Sequence, residues 1–260
     1  MNEKNPLKLS VLIPVRNEGI NLKVMLKILK AVVEVPHEVL VVHDTPEDDC
    51  KPVVEAMKND YPNLRAVHNT LGKGVANAIS FGVDHAQGDF VLIFAADEVG
   101  PVLAVKDLLN LADQGCEFIS CTRYAHGGRR LGGSLIGKTL SYMANFLFHH
   151  LSGAALTDST TGIKMFRRNI FPQLQLKANS VGWTVAFEMA IKAQLLGFRL
   201  GEVPIISIDR LYGGESTFHL RSWVFEYLKW YFWGTKELRK QKTKVTKKDV
   251  LIRIPQGGGI

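Results

Sequence analysis

Between Leu9 and Thr122, short apolar runs rich in Val, Leu and Ile alternate with longer segments whose apolar residues recur at helical spacing. That alternation constrains the chain most, because strands joined through helices pair in parallel and a parallel sheet needs helices over both faces. The expected fold is α/β, a doubly wound and mostly parallel sheet. Its strands are expected at Leu9–Pro14, stopped by Pro14, at Glu38–Val42, Leu64–His68, in the run from Phe90 and at Glu117–Thr122. Helices are expected at Ile20–Val33, capped by Asn17 and Glu18, then at Lys51–Asn59, Val75–His85 and Val102–Gln114.

Open α/β sheets bind ligands beyond the carboxyl ends of their strands. The residues delivered there are polar: Arg16-Asn17-Glu18, His43-Asp44, Asp97-Glu98 after the apolar run Phe90–Ala96, and Arg123-Tyr124. Gly72-Lys73-Gly74 precedes a helix, so its backbone N–H groups can approach phosphate. It is shorter than a GxxxxGK[ST] loop, and the chain has no GxGxxG, so no nicotinamide cofactor is expected.

From Ala125 the character changes. A glycine-rich basic loop, His126–Gly133, leads into an apolar helix, Ser134–Leu151, carrying Lys138 and His149-His150, whose rings point about 100° apart and cannot readily share a metal. Asp158–Gly162 is a hydroxyl-rich turn, followed by a strand at Ile163–Phe166. A helix at Thr184–Leu196 places Glu188 among apolar neighbours, where a carboxylate is either paired or poised for work. Gly201–Ile206 reads as a late edge strand because of Pro204, and Asp209–Ser216 as a flexible loop. Residues 1–221 are expected to form the main domain and 222–260 an amphipathic aromatic helix with a basic tail.

Much of the net charge of +7 lies in that tail, at Lys236, Arg239, Lys240, Lys242, Lys244, Lys247 and Lys248. Beside the aromatic run Trp223–Trp233 it fits an anionic membrane surface better than nucleic acid. The polar N-terminus has no apolar signal segment, no run reaches the roughly 20 residues of a spanning helix, and the three cysteines, Cys50, Cys116 and Cys121, are an odd count. A cytoplasmic protein peripheral to the inner face of a membrane is expected.

Ile13–Glu18, Val41–Asp44, Leu71–Gly74, Thr122–Tyr124, Asp158–Gly162, Gly201–Ile205 and Asp209–Gly213 together resemble the inverting family 2 glycosyltransferases, in the branch of dolichyl-phosphate mannosyltransferases and polyprenyl-phosphate glycosyltransferases. The resemblance implies a GT-A, Rossmann-like fold with a C-terminal amphipathic helix. It also implies a nucleotide-diphosphate sugar donor, of mannose or glucose class, and a polyprenyl (dolichyl or undecaprenyl) phosphate acceptor. Carried over position by position, Pro14, Arg16, Asn17, Glu18, Asp44, Lys73, Ala96, Asp97 and Ser216 serve the donor. Arg123, Arg129, Ser134 and Lys138 hold the acceptor phosphate, and Asp158, Glu188 and Arg210 are catalytic. Asp97 and Glu98 are the metal candidates for Mg²⁺ or Mn²⁺, because Ala95 and Val99 replace the usual ligands of an Asp-x-Asp motif. Three outcomes stay open: Glu98 standing in at a weakened site, Lys73 and Arg210 replacing the metal, or a catalytically silent nucleotide-sugar or lipid-phosphate binding subunit. A separate membrane-anchoring partner is also left open.

Overall fold

The computed structural model describes residues 7–132, 134–208, 220–240 and 245–255. In chain order the elements are β1 (Leu9–Val15), α1 (Gly19–Val32), β2 (His37–His43), α2 (Cys50–Met57), β3 (Leu64–His68), α3 (Val75–His85), β4 (Phe90–Ile93), α4 (Val105–Asp113), β5 (Phe118–Thr122), β6 (Arg129–Leu131), α5 (Leu135–Leu151), β7 (Lys164–Arg167), α6 (Thr184–Leu195), β8 (Leu200–Pro204), β9 (Ile206–Ile208), α7 (Leu220–Lys240) and β10 (Leu251–Ile252). The main sheet has the order β10-β8-β5-β7-β4-β1-β2-β3, and β6 and β9 form a separate ribbon. Every main-sheet pairing is parallel except those of β7, which runs antiparallel to both β4 and β5.

Successive side chains of a strand point to opposite faces, and the sequence supplies apolar residues to both. Val11 and Ile13 of β1 pack with Met25, Val54 and Leu108 of α1, α2 and α4. Leu12 points the other way, toward Ile79 of α3 and Met189 of α6. A third cluster joins Phe148 of α5, Phe187 and Ile191 of α6, and Trp230 and Leu238 of α7.

Four local expectations change. Pro14 does not stop β1, which pairs with β2 through Val15↔His43. Pro14 shares its side of the strand with Leu12, whose carbonyl faces Phe94, and β1 has outrun β4 by that point, so the missing N–H breaks no ladder bond. The helix expected at Val102–Gln114 opens as a 3₁₀ segment, Gly100–Ala104, before α4. Arg129–Leu131 is a strand rather than part of a loop, pairing in parallel with β9. Most consequentially, β8 is not an edge strand: the chain returns after α7 and lays β10 alongside it. Val245 and Val250 are buried in the main core, so residues beyond 221 pack into the body.

Candidate active site

The parallel strands end at one edge, and β7, running the other way, begins there. That edge therefore collects the turns after β1, β2, β3, β4 and β5 together with the Asp158–Gly162 turn that precedes β7.

On the β1–β4 side, α1 is not capped by its own side chains. Glu18 occupies the N-cap position without a side-chain cap bond. Asp48 accepts from the Asn17 N–H at 3.1 Å and Asp49 from the Gly19 N–H at 2.9 Å, so carboxylates just before α2 satisfy the amides at the start of α1. Asn17 itself is left-handed, φ 53°. Arg16 and Asn17 are exposed beside half-buried Pro14 and Glu18.

Asp44 holds the glycine loop. Its carboxylate accepts from the Gly74 N–H at 2.7 Å and from Asn69 Nδ2 at 2.8 Å, and Asn69 also donates to the Gly72 carbonyl at 2.7 Å. Gly74 has φ +114°, and a Cβ there would lie 2.4 Å from Ser180 Cβ, so the position demands glycine. Lys73 is left exposed at the tip. Beyond β4, Ala96 is buried while Asp97 and Glu98 are half-buried in the following turn.

The β5 side is built on buried charge. The Arg123 guanidinium donates through Nε and Nη2 to the two oxygens of fully buried Asp158, at 2.7 and 2.9 Å, and Nη2 also reaches Thr160 Oγ1 at 3.1 Å. Burial alone would push Asp158 up, but the Arg123 guanidinium and the Lys164 ammonium hold its carboxyl below the usual range. Asn145 of α5 donates to the same Thr160 hydroxyl at 2.8 Å. The guanidinium carbon sits 5.0 Å from the Tyr124 ring centroid. Beside it an open depression of about 380 Å³ is lined by Tyr124, Arg129, Arg130, Leu131, Lys138, Thr139 and Tyr142.

Arg129 and Lys138 thus line one depression, and Arg123 adjoins it through the Tyr124 ring. Ser134, expected with them, caps α5 instead, accepting from the Gly137 N–H at 3.5 Å. Glu188, expected to be catalytic, is fully buried and paired. It accepts the Lys177 N–H at 2.8 Å and the Ala178 N–H at 2.7 Å and meets Lys192 at 2.6 Å. These bonds hold the segment leading to Ser180, which lies against Gly74 of the glycine loop. Arg210 and Ser216 lie outside the described residues. The pair His149-His150 is split, each Nδ1 facing a different carbonyl, of Leu156 and of Phe146. Sequence reasoning missed Asn69, Asn145, Thr160 and the buried Lys164 and Glu202. The signal available was a polar residue inside an otherwise apolar helix or strand, at Asn145 and Lys164.

A divalent cation fits only in part. Among the described residues, the three-ligand cluster is Asp48, Asp49 and Cys50, and its carboxylates serve the amides before α1. Asp97 and Glu98 are two carboxylates adjacent in sequence in the turn after β4, oxygen donors of the kind Mg²⁺ and Mn²⁺ take.

Comparison with known proteins agrees with this geometry. An undecaprenyl-phosphate 4-deoxy-4-formamido-L-arabinose transferase of Klebsiella pneumoniae is 26% identical over 218 residues, 82% of this chain and 64% of the relative. A dolichol-phosphate mannosyltransferase of Pyrococcus furiosus is 24% identical over 234 residues, 86% of this chain and 64% of the relative. The chain therefore spans just under two thirds of the length of these curated relatives. Among solved structures, glucosyl-3-phosphoglycerate synthase of Mycobacterium tuberculosis with Mn²⁺ and UDP superposes with a TM-score of 0.66 at 16% identity, covering 88% of this chain and 80% of that one. A mannosyltransferase of Pyrobaculum calidifontis with GDP-mannose and Mn²⁺ gives 0.63 at 19% identity, covering 93% and 68%. Both have the GT-A fold, and the sheet described above matches it. The profile of glycosyl transferase family 2 matches residues 10–174, and the chain belongs to that family.

Proposed function

We propose that the chain is an inverting hexosyltransferase, moving a mannose- or glucose-class sugar from a nucleotide diphosphate to a polyprenyl phosphate at a membrane surface. One observation carries the reading: a single strand edge has a lysine-bearing glycine loop held by Asp44 on one side, and on the other Arg123, packed on Tyr124, behind a depression lined by Tyr124, Tyr142, Arg129 and Lys138. The names of the curated relatives, both lipid-phosphate sugar transferases, support the same substrate classes.

The reaction forms a bond from an acceptor phosphate oxygen to the anomeric carbon as the bond to the donor diphosphate breaks on the opposite face. A phosphate monoester has its second pKa near about 6, so the nucleophile is already ionised near neutral pH and no strong base is required. What the residues supply is alignment and charge neutralisation. Arg123, locked by Asp158, uses Nε and Nη2 internally and turns its remaining edge to the acceptor phosphate; Lys138 and Arg129 add charge. The turn after β1, Asp44 and the Gly72–Gly74 loop hold the nucleotide, with Lys73, Arg210 and Ser216 near the diphosphate. Asp97 would hold a divalent cation, assisted by Glu98, and the cation would neutralise charge on the departing diphosphate.

The exposed faces of α5 and α7 fit a lipid surface. Leu140, Met143, Phe146 and Leu147 on α5, and Val224, Phe225, Leu228 and Phe232 on α7, are solvent-facing, and no described helix is long and apolar enough to cross a membrane. An in-plane contact buries these side chains while their helices stay on the body. Ala95 and Val99 favour a second reading, a silent binding subunit. Incubation with radiolabelled GDP-mannose or UDP-glucose and a short polyprenyl phosphate, with Mn²⁺ or with EDTA, separates the two. Lipid-linked sugar is the expected product; nucleotide binding without product under every condition supports the silent subunit.

A further inference from the structure

Three neighbouring strands place a row of polar side chains beneath the acceptor-side arginine. Lys164 of β7, Ser120 of β5 and Glu202 of β8 are aligned by register, Ser120 opposite Lys164 on one side and opposite Glu202 on the other. All three are buried. Lys164 Nζ donates to Ser120 Oγ at 3.0 Å. Glu202 Oε1 accepts two backbone amides, Thr157 N–H at 2.8 Å and Asp158 N–H at 3.2 Å. Its other oxygen lies 3.9 Å from His126 Nε2, on the loop that leads from Arg123 toward β6.

We infer that Glu202 is a positioning residue for the acceptor phosphate: it grips the backbone of the Thr157–Asp158 turn so that Asp158 presents both oxygens to Arg123. The inference deepens the proposed function and rests on its assignment of Arg123. A buried carboxylate is costly unless its oxygens are bonded. The bonds this carboxylate makes, with the Thr157 and Asp158 amides and the Thr157 side chain, all go to that one turn. Asp158 meets Arg123 through three donors, the backbone N–H and the two guanidinium nitrogens, and that geometry requires the turn to be fixed in both position and rotation. Among the described residues, His126, Asp158, Lys164 and Cys121 are the charged or titratable groups that interact with Glu202.

The test uses Glu202→Gln, which keeps a carbonyl able to accept both amides, Glu202→Leu, which does not, and Glu202→Asp, which withdraws the acceptor by one methylene. Farnesyl phosphate and GDP are titrated calorimetrically into each full-length variant, and the Arg123 Nε–H resonance is followed by ¹⁵N NMR. Expected are farnesyl phosphate affinity within threefold of wild type for Glu202→Gln, a loss of tenfold or more for Glu202→Leu, an intermediate loss for Glu202→Asp, and unchanged GDP affinity throughout. The Arg123 Nε–H signal should persist in Glu202→Gln and broaden or shift in the other two. A folded Glu202→Leu, or Glu202→Asp should the leucine variant not fold, with farnesyl phosphate affinity and Arg123 resonance both at wild-type values overturns the inference. So does an equal loss of GDP and farnesyl phosphate binding. If the wild-type protein binds no farnesyl phosphate, the proposed acceptor fails, and the Arg123 resonance alone decides the role of Glu202.

Discussion

The two halves of the strand edge solve their binding problems with different materials. On the β1–β4 side, carboxylates are spent on backbone amides: Asp44 on Gly74, Asp48 on Asn17, Asp49 on Gly19. Loops are thereby held by these bonds, while the side chains of Arg16, Asn17 and Lys73 stay exposed. On the β5 side, ionised groups are buried against one another, Arg123 on Asp158 with Lys164 and Glu202 beneath. A shaped, wet surface suits a nucleotide with many hydrogen-bonding atoms. A rigid cation suits a single phosphate that must be held in line for attack.

The contrast is broken most severely at Asp158. Asp158→Ala leaves the Arg123 charge buried without its partner, a loss of about 3–5 kcal/mol, and should abolish sugar transfer; chemical denaturation and the radiolabel assay check the two effects. Gly74→Ala tests the other half. It forces an L side chain into φ +114° against Ser180, at a cost of about 1–3 kcal/mol, and should weaken GDP or UDP binding while sparing farnesyl phosphate, as titration of each would reveal.

How far these halves could be read from sequence follows from the same difference. The strand-end turns of the β1–β4 side are local, and apolar periodicity located β2, β3 and α3 to within a residue. The β5 side depends on partners distant in sequence: Arg123 and Asp158 are 35 residues apart, Lys164 and Ser120 are 44 apart. No pattern in either segment announces the other. The pairing of Glu188 was not legible for a related reason: its partners include the amides of Lys177 and Ala178, and amides leave no mark in sequence. The two-residue β10 escaped because so short a pairing is specified by the neighbouring strand rather than by its own residues.

Smaller effects sharpen the picture. Burial pushes Glu202 up to about 7, against the hydrogen bonds from Thr157 and Asp158, which pull it down. A carboxyl raised in the folded state holds its proton longer than in the unfolded chain, so its contribution to stability is fullest below its ordinary pKa near about 4.5 and is lost as pH rises through about 7. Glu202→Gln removes that dependence. Its melting temperature relative to wild type should rise by a few degrees between about pH 5 and about pH 8, as differential scanning calorimetry at matched ionic strength would record. Lys164, lowered by burial to about 8, supplies a dependence of opposite sign at higher pH, its stabilising contribution growing as pH rises from about 8 toward about 10.5. The smallest effect on folding is expected at Phe232, which is 67% exposed. Phe232→Glu should shift stability by no more than about 0.5 kcal/mol yet reduce flotation with phosphatidylglycerol vesicles.

The most direct measurement is paired binding to Arg123→Gln, with farnesyl phosphate and GDP titrated separately. A drop of at least thirtyfold in farnesyl phosphate affinity, with GDP affinity within twofold of wild type, is the predicted result. Equal losses for both ligands, or no loss for either, would contradict a cleft whose two sides hold the two substrates independently.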